Sequence, residues 1–117
     1  MRRSLDPGHV RIGNGSQMTS IKILVEHLNL RYSDGKESLR DINLDIQANT
    51  ITVLFGPAGG GKSSLLRVFN RLNDLADVKL LSGRVLLDDM DILDSKVDVI
   101  ALRRRVGMVF ALRLFYL

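Results

Sequence analysis

The chain has 117 residues, a net charge of +4, 45% hydrophobic and 26% charged residues, and no cysteine. This predicts one soluble domain with a real core and excludes disulfides and thiolate metal sites, while permitting a reducing compartment. The longest apolar stretch, residues 106–117, is broken by Arg113 and falls short of the roughly 20 residues a membrane helix needs.

Residues 1–20 are rich in Gly, Ser, Arg and Asn and show no periodicity. They predict a disordered leader without the apolar core of a secretory signal, and Met18 is an alternative start. "IKILVEHLNL" (21–30) alternates at Ile21, Ile23 and Val25, which is strand behaviour. "SDGK" (33–36) is a turn in which Gly35 can take positive φ. "SLRDINLDI" (38–46) alternates again at Ile42, Leu44 and Ile46. After the turn "QANT", the nearly continuous apolar run "ITVLF" (51–55) suits a strand buried on both faces.

"KSSLLRVFNRL" (62–72) predicts a helix with Leu65, Leu66, Phe69 and Leu72 on one face. "SGRVLLDDMDI" (82–92) predicts two short strands around an acidic turn. "SKVDVIALRRR" (95–105) predicts a helix capped by Ser95, with Asp98 three residues on and a stripe of Val97, Ile100 and Ala101. "VGMVF" (106–110) is a further candidate buried strand, and no internal repeat is present. The basic residues are scattered apart from Arg103–Arg105, and the aromatics, 5%, do not interleave with them. The run therefore reads as a solvated helix end, and no nucleic-acid partner is expected.

The chemistry concentrates in Gly56-Pro57-Ala58-Gly59-Gly60-Gly61-Lys62-Ser63, which satisfies G-x-x-x-x-G-K-[ST] between a predicted strand and a predicted helix. That context defines a phosphate-binding P-loop. Triphosphate oxygens must approach main-chain N–H groups closely, where a Cβ would obstruct, and the helix start adds unpaired donors. One such dipole contact contributes only about 0.3–1 kcal/mol. ATP affinity therefore needs the whole nest, Lys62 on the β/γ-phosphates and Mg²⁺ held partly by the Ser63 hydroxyl. Ser64 can offer a second hydroxyl towards the α-phosphate. Asp88, ending "VLLDD", reads either as a Mg²⁺ carboxylate or as part of a hairpin turn, and strands on both sides favour the turn. His9 and His27 have no partner at ligand spacing and read as incidental.

Four segments in order, "LNLRYSDGKESLRDINLDI", "GPAGGGKSSLLRVFNRLNDL", "GRVLLDDMDI" and "VDVIALRRRVGMVF", resemble the ATP-binding subunits of ABC transporters. "FNRLNDL" and "VDVIALRRRVGMVF" are most similar to the phosphate-import subgroup. The resemblance runs from about residue 21 to 110. It implies an α/β fold: an incomplete ABC-type P-loop NTPase core, over residues 21–117, with an antiparallel β-subdomain. It also implies that Tyr32 stacks on adenine, a contact of about 1–3 kcal/mol in nucleic-acid systems; from the residue alone, Tyr32 is an aromatic ending a strand. It places "VLLDD" in the β-subdomain.

The implied assembly has a second ATPase subunit and transmembrane permease subunits, with this chain peripheral on the cytoplasmic face of the membrane and not spanning it. The chain departs from the family pattern at Ala111, where the family has a glutamine that touches Mg²⁺, and "ALRLFYL" resembles nothing in the family. The signature loop, the catalytic glutamate strand and the switch histidine are not in this sequence. A shifted reading frame or an abridged gene would produce this pattern. Three functions follow as expectations: an ATPase subunit driving phosphate import, a nucleotide-binding module without turnover of its own, or a small P-loop kinase using Asp88. The second is preferred for this chain alone, with exposed apolar edges and low solubility.

Overall fold

The computed structural model of the chain describes residues 20–57 and 59–109. The two amino-terminal strands form where alternation predicts them: β1 spans Ile21–Tyr32 and β2 spans Glu37–Gln47, joined through a turn in which Gly35 has φ 93°. β3 (Val78–Leu87) and β4 (Met90–Asp91) complete an antiparallel sheet in the order β2-β1-β3-β4. The strand β3 begins four residues before its predicted start.

Within β1 the buried positions are Val25, Leu28 and Leu30; within β2 they are Leu39 and Ile42. A period of two would send residues three apart to opposite faces. The phase slips because both strands bulge: the register shifts between Val25 and Leu28, and His27 and Asp41 have φ 49° and 47°. Side chains take over the ladder bonds lost there. The His27 N–H donates to Asn43 Oδ1 at 2.9 Å, the Asp41 N–H donates to Asn29 Oδ1 at 2.9 Å, and the His27 Nδ1 lies 2.7 Å from Asp41 Oδ1. His27 is thus a structural staple in this sheet. Across from the bulge only glycine fits, since a Cβ on Gly83 would lie 2.3 Å from the His27 carbonyl oxygen.

The helix α1 (Lys62–Phe69) lays Leu65, Val68 and Phe69 on the sheet, joining Leu28, Leu30, Leu39 and Val85 in one core. Leu66, expected on that face, is exposed, and the helix stops before Leu72. Arg71 turns left-handed (φ 60°), and a short 3-10 turn follows at Leu72–Leu75. Arg103 reaches back from the last helix to this end of α1, donating to Asn70 O at 3.0 Å and to Arg71 O at 2.9 Å, which also accepts from the Asp74 N–H. Sequence periodicity cannot register that long-range cap.

The last helix, α2, spans Val99–Arg105 and is capped by Asp98, whose carboxylate accepts from the Ile100 and Ala101 amides at 3.1 and 3.2 Å. The predicted cap, Ser95, lies outside it, and the predicted stripe is displaced: Leu102 is buried while Ile100 and Ala101 are exposed. A carboxylate at the helix start also opposes the dipole better than a hydroxyl.

Asp88 and Asp89 form the two-residue turn between Leu87 and Met90, with φ 49° and 68°. These are the left-handed angles of a hairpin turn, as the strand-turn-strand reading expects. Asp88 accepts from Lys22 Nζ at 2.9 Å and from Arg105, tying β1, the turn and α2 together. The Lys22 hydrogen bond, with that of Arg105 assisting, holds the Asp88 carboxyl below the usual aspartate range. A carboxyl depressed on folding contributes stability above its unfolded pKa and loses it as pH falls through the folded value. Thermal melts run at decreasing pH are expected to show a steeper acid decline for wild type than for Asp88→Asn, and added salt should narrow the gap because the group is exposed. Parallel acid profiles would remove the tie.

Residues 51–55 correct the sequence expectation. They form no strand, and Ile51, Val53 and Phe55 are 94%, 75% and 78% exposed. Residues 106–109 are likewise irregular, with Val109 96% exposed, and Phe110 lies outside the described residues. An apolar run becomes a strand only against a ladder partner. Among the described residues none pairs with either segment, so the expected apolar exposure is present.

Candidate functional site

The start of α1 is positioned by contact between its glycine loop and β2. Gly61 caps the helix with φ 93°, and a Cβ there would lie 2.4 Å from the Ser38 carbonyl oxygen and 3.0 Å from Leu39 Cδ2. Only a residue without a side chain lets the loop seat against the strand. The first intrahelical bond runs from the Leu65 N–H to Gly61 O at 2.9 Å. The amides of Lys62, Ser63 and Ser64 therefore have no acceptor within the helix, leaving donors at its positive end.

Lys62 folds back over the loop, its ammonium donating to Gly56 O at 2.8 Å and Pro57 O at 2.7 Å. The Gly60 N–H closes the same turn onto Pro57 O at 3.1 Å. Gly56 and Pro57 thus hold the lysine through their carbonyls. Ala58 lies outside the described residues, as do His9 and Ala111. Gly59, Gly61, Lys62, Ser63, Ser64 and Tyr32 line one cleft of about 600 Å³.

Besides Ala76, three further wall residues, all polar, carry no sequence motif: Lys36, Ser38 and Arg67. Lys36 follows a turn, Ser38 opens a strand and Arg67 lies one helical turn beyond Ser63, so only their convergence in space marks them. With Lys62 they give the cleft three cations, and no carboxylate is among its described lining residues. Low-dielectric walls of one sign concentrate an anionic ligand. Asp88 is not in the lining.

Ser64 lines the cleft with its hydroxyl against two side chains. It is 7% exposed, and its Oγ lies 2.9 Å from the Tyr32 hydroxyl and 2.8 Å from Ser38 Oγ. Its hydroxyl is engaged by its neighbours. Tyr32, half-buried, stands at the cleft wall with its hydroxyl on that serine. Ser63 is exposed on the first turn of α1, where its hydroxyl is available to a cation. No group of three or more His, Cys, Asp or Glu that could hold a metal occurs among the described residues. Of the ligands a P-loop gives a nucleotide-bound Mg²⁺, the Ser63 hydroxyl is present, and the described lining adds no carboxylate beside it.

An antiparallel sheet covering a helix that springs from a glycine loop is the architecture of an ABC-type P-loop NTPase core, α/β in class. A family model for ABC transporters matches residues 39–116, two thirds of the chain, and the chain belongs to that family. Among solved structures it is similar to CbiO1 of Clostridium perfringens, part of the ABC transporter complex CbiONQ, with a TM-score of 0.59 and 36% identity. That match covers 71% of this chain and 31% of CbiO1, so the chain spans about a third of its length. No helix among the described residues is long and apolar enough to cross a membrane.

Proposed function

We propose that the glycine loop binds the phosphates of ATP, with Lys62 on the β/γ-phosphates, the amides of residues 62–64 as additional donors, and Ser63 on Mg²⁺. The observation that carries this reading is a free helix start opening into a cleft with three cations and no carboxylate among its described lining residues. Tyr32 offers its ring to the adenine. Bound Mg²⁺ would supply charge neutralisation between phosphate oxygens. On this reading the chain is the nucleotide-binding part of a transporter ATPase at the cytoplasmic face of the membrane. Its partners are a second ATPase subunit and permease subunits, in keeping with CbiO1's place in a multi-subunit complex.

Phosphate is the cargo suggested by "FNRLNDL" and "VDVIALRRRVGMVF"; this rests on resemblance, since other subunits select cargo. For this chain alone the reading is binding without sustained turnover. Beyond the Ser63 hydroxyl, hydrolysis needs a carboxylate on the Mg²⁺ and a group that orients or deprotonates water, and the described lining offers neither. The kinase alternative would need Asp88 at the phosphates, whereas Asp88 is engaged by Lys22 and Arg105.

Calorimetric titration of the purified full chain tests the reading. MgATP should bind at one site, adenosine at least about tenfold more weakly, and chelation of Mg²⁺ should weaken ATP. A parallel phosphate-release assay should stay at background. Equal affinity for adenosine and ATP would refute phosphate recognition, and steady release lost on Lys62→Ala would refute the absence of turnover.

A further inference from the structure

The loop motif leaves unexplained a line of three hydroxyls joining three elements. Tyr32 ends β1, Ser38 lies near the start of β2, and Ser64 sits in the first turn of α1. The Ser64 oxygen is 2.9 Å from one partner and 2.8 Å from the other, in a site where Ser64 is 7% exposed. A serine hydroxyl donates once and accepts twice. Two flanking hydroxyls therefore account for most of what Ser64 needs, and water has little access to replace either.

We propose that Ser38 is a positioning residue for base recognition, fixing Ser64 so that Ser64 in turn holds the Tyr32 ring at the cleft wall. The inference rests on the reading of this cleft as an ATP site. Ser38 need not touch the nucleotide for this. The Tyr32 ring packs along one side against the core; the hydroxyl tether fixes its remaining freedom, and a ring already oriented loses less freedom when a base stacks on it. Without the Ser38 hydroxyl, Ser64 is left one partner short in a buried site. It then turns to a rotamer that satisfies it elsewhere, and the tether on Tyr32 loosens. The phosphate end, built from Lys62 and main-chain amides, does not depend on this line.

The test compares MgATP with magnesium tripolyphosphate, which has the phosphates and no base, on the full chain. One neutral hydrogen bond corresponds to about a 2- to 10-fold change in affinity. Ser38→Ala is expected to raise the ATP Kd by that factor and the tripolyphosphate Kd by less than about twofold. Ser38→Thr, which keeps the hydroxyl, should retain wild-type ATP affinity. Tyr32→Phe, which keeps the ring and loses the tether, should reproduce the Ser38→Ala pattern and stands in for it should that variant not fold.

Equal weakening of both ligands would show a merely structural role and overturn the proposal. So would unchanged ATP affinity in Ser38→Ala, or a threonine variant as weak as the alanine one. If wild type binds neither ligand, the ATP reading itself fails, a result distinguishable because it precedes any substitution.

Discussion

Lys62→Ala is expected to abolish measurable ATP binding while leaving the fold intact. A hydrogen bond to a charged group contributes about 1.5–3 kcal/mol, so each lost phosphate contact weakens binding roughly 10- to 100-fold. The ammonium also bridges Gly56 O and Pro57 O, at 2.8 and 2.7 Å, and so holds the turn in shape. Removing it withdraws the charge and relaxes the main-chain nest together. The side chain is only half-buried, and Lys62 is not one of the residues that build the apolar core. Titration of both proteins with MgATP, with melting curves alongside, checks this; equal dissociation constants would mean that the glycine loop is not the phosphate site.

Gly61→Ala should lower stability by about 3 kcal/mol and remove nucleotide binding with it. Two costs combine: a left-handed conformation at a residue with a side chain, about 1–2 kcal/mol, and overpacking, about 1–3 kcal/mol. The overpacking is against backbone, since the new Cβ would meet the Ser38 carbonyl oxygen at 2.4 Å, where no flexible side chain can yield. Relief requires α1 to move away from β2, which opens the core at Leu39 and Leu65 and shifts the cleft. Gly35 provides the control. It has the same φ of 93°, but a Cβ there meets nothing within 4 Å. Gly35→Ala should therefore show only the conformational cost. Urea denaturation of the three proteins separates the two terms, and equal losses at Gly35 and Gly61 would rule out the steric one.

The two bulges show where local pattern and fold diverge. Alternation at Ile21, Ile23 and Val25 made β1 legible, yet the slip that buries Leu28 beside Val25 depends on His27, Asn29, Asp41 and Asn43 meeting across two strands. Nothing in residues 21–30 taken alone states that exchange. The apolar runs at 51–55 and 106–110 read as strands because their composition is that of strands. Composition measures a preference for burial, whereas pairing needs a neighbouring strand, and no described strand pairs with them, although Leu54 and Val106 pack against the core.

The sequence by itself determined the glycine loop, the helix it launches, the antiparallel hairpins and the Asp88–Asp89 turn. Each of these depends on residues close together in the chain: glycines that permit left-handed angles, a stripe of period near 3.6, alternation of period two. Tertiary structure alone decided the Arg103 closure of α1, the burial of Leu102 and the engagement of Ser64 by Tyr32 and Ser38. The Arg103 and Ser64 contacts join groups about thirty residues apart, and the burial of Leu102 turns on which face of a helix finds a core to enter. Local preference cannot choose between such partners until packing has brought one of them within reach.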